Sequence, residues 1–289
     1  MQPCPESTAP EAPRSRRAPA VGFARAGLPL PSPSAKVDPS SPNRRRKASM
    51  KYALVSDIHG NLEAFTACLK VIEDEGCQKI VCLGDIVGYG ANPRECIKLV
   101  REYDMATIAG NHDFACIGKT NINYFNSYAK ESTLWTRKVT TTEDKEFLNS
   151  LPLVDYHEDF TVVHGTLYSP ELFDYIQTTY DAYLSLQLLE NQVCFLGHSH
   201  VPITFFQGDM ISYILHPEIT LEDGVRALVN IGSIGQPRDD NPRASFAIYD
   251  TEERKVRIVR VEYDVETAAE KIRKAGLPEP LAERLKYGR

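Results

Sequence analysis

The sequence predicts an α/β fold with a parallel sheet at its centre. Three observations carry this. Short apolar, largely β-branched runs recur at residues 52–55, 80–83, 106–109, 160–163 and 193–196, as expected for buried strands. Segments with apolar residues at helical spacing separate the first three runs, the alternation of a βαβ unit. Each run ends in a polar cluster: Asp57-Ile58-His59, Gly84-Asp85, Gly110-Asn111-His112-Asp113, His164-Gly165 and Gly197-His198-Ser199-His200. In an open α/β sheet, ligands bind where strands give way to loops. Five strand ends bearing Asp, His and Asn can surround one or two metal ions, which points to metal-assisted hydrolysis.

The elements follow in order. Residues 62–75 carry helical periodicity and stop at Gly76. Asn92 and Pro93 supply an N-cap and a first-turn proline for a helix over 93–103. Strand, helix, strand, helix and strand, ending at Asn111, predict a parallel βαβαβ unit. Helices over 124–138 and 143–151 form a cap on one side of the site, at about 120–151. Trp135 within it reads as core in preference to a base-stacking platform. A helix over 180–189 precedes the strand at 193–196. Beyond it the pattern changes to strands at 210–215, 225–230, 245–250 and 256–263, in mostly antiparallel hairpins. Residues 265–285 are helical, with a break at 276–280. No internal repeat is evident.

Composition agrees. The chain has 289 residues, 42% hydrophobic and 25% charged, ordinary for a globular protein of one large or two small domains. No stretch approaches the 18 apolar residues of a membrane span. Seven cysteines without a CxxC pair fit a reducing, cytoplasmic setting. Residues 1–49 differ in kind. They hold ten of the nineteen prolines and nine Lys/Arg against three acids, a net +6, while residues 50–289 carry −12. The first segment is expected to be a disordered basic extension, and Met50, just before the first strand, reads as an alternative start. A targeting segment or a basic arm for an acidic partner are the other readings of it. The folded domain spans 50–289. Its acidity argues against duplex nucleic acid and for a small phosphate ester or nucleotide.

The five motifs, reading SDIHGN, LGDIVG, AGNHDF, VVHGT and LGHSHVP, resemble those of the calcineurin-like metallophosphoesterase superfamily, over residues 50 to about 250. Small prokaryotic-type phosphodiesterases and dinucleoside polyphosphate hydrolases are the nearest in pattern. The resemblance implies an α/β/β/α sandwich of two mixed sheets flanked by helices. It also implies two metal sites, one of Asp57, His59, Asp85 and His200, the other of Asp85, Asn111, His164 and His198. Two cations about 3.5–4 Å apart need a shared anionic ligand. Asp85, on the strand between the other two early motifs, is the bridging candidate. Asp57 and His59 are expected to alternate along one extended segment, as are His198 and His200. Mixed N and O donors suit two divalent ions, Mn²⁺ first, with Fe, Zn²⁺ or Ni²⁺ as alternatives to it and Ca²⁺ disfavoured. The resemblance further implies attack by a hydroxide held between the ions. It puts His112 beside the substrate, stabilising the transferring phosphoryl group or protonating the leaving oxygen, with Asp113 orienting its ring and raising its pKa. His157 and His216 lie outside every motif and read as ordinary polar residues.

Two segments bear on the substrate. The first is 85–90, with Tyr89, which lacks the arginine that serine/threonine protein phosphatases and symmetrical dinucleoside tetraphosphatases carry there. The second is 230–238, a Gly-rich turn followed by Arg238 and Arg243, either of which could grip phosphate. Arg238 could instead pair with Asp239 or Asp240. The leading function is a binuclear phosphoesterase acting on a small phosphodiester or nucleotide. The alternatives are a dinucleoside polyphosphate pyrophosphohydrolase and a protein-binding scaffold without chemistry.

Overall fold

The computed structural model describes residues 50–289; the basic extension expected at 1–49 lies outside the described residues. Strands β1 (Lys51–Val55), β2 (Lys79–Cys82) and β3 (Ala106–Thr107) are joined by helices α1 (Leu62–Asp74) and α2 (Pro93–Glu102). β1 pairs with β2, and β2 with β3, in parallel register, so the expected βαβαβ unit is present. Asn61 caps α1, its side-chain oxygen accepting the Ala64 N–H at 3.1 Å. Asn92 holds the same position before α2 without a side-chain cap bond, and Pro93 opens the helix.

Three helices follow: α3 (Asn111–Cys116), α4 (Ser127–Val139) and α5 (Thr142–Ser150). Next come β4 (Val154–Tyr156), β5 (Phe160–Val163), α6 (Thr179–Leu188) and β6 (Val193–Leu196). Then follow β7 (Ile203–Gln207), β8 (Ile211–Ile214), β9 (Glu218–Thr220), β10 (Arg226–Asn230), β11 (Ala244–Asp250) and β12 (Lys255–Val261). The chain continues through α7 (Val265–Lys274) and α8 (Glu279–Glu283). Two six-stranded mixed sheets result, in the orders β3-β2-β1-β11-β12-β9 and β4-β5-β6-β10-β7-β8.

Period two explains why the central strands are apolar throughout. In β1, Tyr52 and Leu54 face the second sheet, packing with Phe160, Val162 and Phe195. Ala53 and Val55 face the other way, with Phe65, Leu69 and Ile97 of α1 and α2. The outer face of the second sheet, with Val163, Cys194 and Leu196, is covered by Ala182 and Leu186 of α6. Helix, sheet, sheet and helix make four layers, the sandwich that was expected. Trp135 packs half-buried against the α7–α8 cluster, as a core residue.

Three strands escaped the sequence pattern. β4 and β9 have three residues each, too few for a period, and β7 begins directly behind Pro202. β10 was expected in an antiparallel hairpin; it lies inside the second sheet, parallel to β6 and antiparallel to β7. Among the described residues no helix is long and apolar enough to cross a membrane.

Candidate metal centre

Both sheets deliver residues to one place. Asp57 and His59 follow β1, Asp85 follows β2, His164 follows β5, and His198 and His200 follow β6. Asn111 is not at a strand end but opens α3, because β3 is only two residues long and the chain turns at Gly110. Backbone bonds lock these loops to each other. Asp57 N–H donates to Gly84 O at 3.0 Å, His59 N–H to Asp85 O at 2.9 Å, and Gly197 N–H to His164 O at 3.1 Å. The expected extended alternation at the D-x-H and H-x-H pairs is not what forms. Asp57, His59, Asp85, His198 and His200 all hold left-handed backbone, with φ of 52°, 49°, 52°, 67° and 62°. Such conformations cost about 1–3 kcal/mol each and cluster at functional sites, where surrounding bonds over-determine them. Two motif glycines have a separate reason. A Cβ at Gly110 would run into the Asp85 carboxylate, and one at Gly197 into Ser56 and Asp57.

The imidazoles are aimed by their second nitrogens. His59 Nδ1 donates to Val87 O at 3.0 Å, His164 Nδ1 to Leu83 O at 2.7 Å and His200 Nδ1 to Gln236 O at 2.6 Å. With the proton fixed there, each ring in its neutral form presents a lone pair at Nε2. His59 Nε2 and His200 Nε2 face each other at 3.1 Å, and Asp57 Oδ1 lies 3.1 Å from His200 Nε2. Three lone pairs meeting this closely repel unless a cation sits among them. Asp57 Oδ2 is already bonded by Ser56 Oγ and His198 N–H, so Oδ1 is the free donor atom. On the other side, Asp85 Oδ2 lies 3.3 Å from His164 Nε2. Asn111 Oδ1 and His198 Nε2 are also buried, with no hydrogen-bond partner among the described residues. Asp57, His59 and His200 form one set of convergent donors, and Asp85, His164 and His198 another. These residues fit divalent metal.

Electrostatics points the same way. Burial lowers the pKa of His59 and His200, and takes His198 down to about 3. Burial also opposes charge on His164, but Asp85 and Asp57 override it and push that imidazole up to about 10. Burial would raise Asp57 and Asp85, yet the neighbouring histidines hold both below the usual carboxylate range. A buried carboxylate pair demands positive charge at its centre, and the groups at ion-pair distance from Asp57 and Asp85 are the imidazoles of His59, His164 and His200.

A family model for the calcineurin-like phosphoesterase superfamily domain matches residues 50–254. The chain belongs to this superfamily of metal-dependent phosphoric ester hydrolases. It is 43% identical over 242 residues to an uncharacterised protein of Methanocaldococcus jannaschii, covering 82% of this chain and 98% of that protein. It is 22% identical over 213 residues to the phosphodiesterase YfcE of Escherichia coli, covering 70% and 89%. The crystal structure of a metallophosphoesterase from Sphaerobacter thermophilus superposes with a TM-score of 0.73 at 37% identity, covering 83% of this chain and all of that one (100%).

In this phosphoesterase His112 adjoins the donor atoms. Its backbone N–H donates to Asp85 Oδ1 at 2.8 Å, and its buried Nδ1 has no hydrogen-bond partner among the described residues. The ring is held by Tyr89, His59 and Phe125 at centroid distances of 4.4, 5.0 and 5.1 Å. Burial takes its pKa down to about 4.

Asp113 corrects the expectation: it does not orient His112. Its carboxylate accepts the backbone N–H groups of Asp85, Ile86, Val87 and Gly110 at 2.8, 3.0, 3.3 and 3.0 Å. Burial and the Asp85 charge push its pKa up to about 7, against the pull of those donors. Asp113 therefore shapes the 84–88 turn that carries Asp85. Asp113→Ala orphans four buried donors, each worth about 1–3 kcal/mol if nothing replaces the acceptor. After partial relaxation, a loss of about 3–5 kcal/mol is expected, read as a lowered denaturation midpoint. A midpoint within experimental error of the parent would contradict this role.

Arg238 lies over the Tyr89 ring at 5.7 Å and donates to Gln236 Oε1 at 2.9 Å. Its possible carboxylate partners are engaged elsewhere, Asp239 with Arg260 and Asp240 with Arg289. Arg243 is corrected: it is exposed, bonded to its neighbour Asn241 at 3.1 Å, and is not brought to the centre. Tyr175 was missed by the sequence reading. It stacks on His198 at 3.9 Å and interacts with Arg238. Nothing in its local sequence marks it, because the 165–178 loop has no period. His157 stacks on Phe160 at 4.3 Å and His216 is exposed, so both remain outside the site.

Proposed function

We propose that this chain is a binuclear metal-dependent phosphodiesterase acting on a small phosphodiester or a nucleotide. The observation that carries this is the convergence of two donor sets on Asp85: Asp57, His59 and His200 on one side, Asn111, His164 and His198 on the other. Two divalent cations held there, manganese first among Mn, Fe, Zn and Ni, would acidify water and offset charge developing on phosphorus. The remaining work falls to the chain. Arg238, with Tyr89 beneath it, grips non-bridging phosphate oxygens. A ring N–H of His112 donates to the leaving oxygen. The aromatic rings around His112 hold it in place and keep water from it.

The test uses the purified chain with Mn²⁺. The expected result is hydrolysis of bis-p-nitrophenyl phosphate that chelator abolishes, with two metal ions per chain. One ion per chain would sink the binuclear reading. Failure to turn over a diester, a monoester and a dinucleoside polyphosphate, with both ions bound, would sink the enzymatic one and leave the scaffold.

A further inference from the structure

A cavity of about 450 Å³ opens in front of the metal centre, within the range of about 300–1,000 Å³ that small molecules occupy. Its floor includes Asn111, His112 and His198. Tyr124 and Phe125, just before α4, line it, and so do Leu172, Phe173 and Tyr175 of the loop after β5. Core packing accounts for Phe173, which is buried, and for part of Phe125, but not for Tyr124 or Leu172. Tyr124 is 89% exposed and Leu172 63% exposed, although both are large and apolar. The 169–173 turn is set against the cavity by two non-glycine residues in left-handed backbone, Ser169 at φ 51° and Phe173 at φ 54°, strain of the kind that accumulates at ligand clamps.

The lining defines a ligand. Aromatic faces adjoin the floor, with Tyr175 on His198 and Phe125 5.1 Å from His112. A planar group is what such walls receive best. Charge away from the centre is balanced, one lysine (Lys119) against one acid (Glu171), so the group need carry no charge. Asn121 and Asn126 use their side-chain oxygens to accept from Asn123 and Ala129 N–H, at 3.0 and 2.9 Å. Their NH₂ groups are what they offer a ligand, and these call for carbonyl or ring-nitrogen acceptors.

We infer that this cavity holds the nucleoside portion of a nucleotide ester while the phosphate lies at the metal centre. This rests on the function proposed above and narrows it from small phosphoesters in general to nucleoside esters. Tyr124 and Phe125 are the specificity-determining residues on the open side, where a base can stack on them.

Binding tests this without turnover. The probes are the phosphonate analogue of adenosine 5′-monophosphate and methylphosphonate, neither of which has an ester bond to cleave. Calorimetry on the Mn²⁺-loaded full chain is expected to give the nucleoside phosphonate at least about tenfold the affinity of methylphosphonate, as stacking of one base supplies. Tyr124→Ala and Phe125→Ala are each expected to pull that ratio severalfold toward one. Tyr124 is exposed enough for its replacement to leave the fold alone. Equal affinities for the two phosphonates, or a ratio unmoved by both substitutions, would overturn the inference. A chain that hydrolyses diesters without nucleoside preference overturns this inference only. A chain with the preference but no turnover supports it and overturns only the catalytic reading.

Discussion

Asp85→Asn is expected to lower diester hydrolysis at least about a thousandfold, because losing one cation removes several kcal/mol of transition-state stabilisation. Metal content should fall from two ions per chain to one. The reason is geometric. Asp85 Oδ2 lies 3.3 Å from His164 Nε2 and 3.7 Å from His59 Nε2, between the two donor sets. An asparagine there is isosteric but neutral, and its NH₂ can point at both imidazoles. The other oxygen keeps the His112 N–H, now 2.8 Å away. The fold therefore persists. The metal-free variant is expected to melt below the metal-free parent, since the histidines hold Asp85 under the usual carboxylate range and the substitution takes that buried pairing away. Metal analysis, initial rates and calorimetric melting measure all three effects. A variant that keeps both ions and turns over within tenfold of the parent would move the bridging role elsewhere.

His112→Ala is expected to lower kcat by about 10²–10³, the usual cost of losing one positioned hydrogen-bond donor to developing charge, with a smaller change in KM and both ions retained. The backbone N–H that reaches Asp85 survives in alanine, so the carboxylate stays anchored. What disappears is a ring held among Tyr89, His59 and Phe125. His112 also lies close enough to His59 and Asp85 to form a third possible donor set. Metal content is thus the discriminating measurement: a loss of metal in the variant would make His112 a ligand and not a hydrogen-bond donor to the substrate.

Much of this was legible in the chain. The five apolar runs became β1, β2, β3, β5 and β6, and the alternation of the first three with helices became the parallel unit. Buried strands and amphipathic helices announce themselves through local periods, and these elements are long enough to show one. Short edge pieces such as β4 and β9 carry no period and were silent. The candidate metal-site donors were also picked out in the sequence, because Asp, His and Asn side chains are ones that can hold a divalent metal, and several of them converge in the fold.

Tertiary structure decided how those residues are used. Which imidazole nitrogen faces the centre depends on carbonyls of Val87, Leu83 and Gln236, which lie 28, 81 and 36 residues from the histidines they hold. Asp113 sits next to His112 in the chain, yet its bonds go to the 85–87 turn. Arg238 and Arg243 are near neighbours in sequence; one lies over Tyr89 beside the centre and the other is in solvent. Tyr175 and His198 lie in different loops, after β5 and after β6, and stack only in the folded chain. Sequence by itself determined the layered α/β framework and the candidate donor residues, since periodicity and residue chemistry are local properties. The protonation geometry, the role of Asp113 and the walls of the cavity were decided by hydrogen bonds and ring contacts between distant segments, which exist only once both sheets have packed.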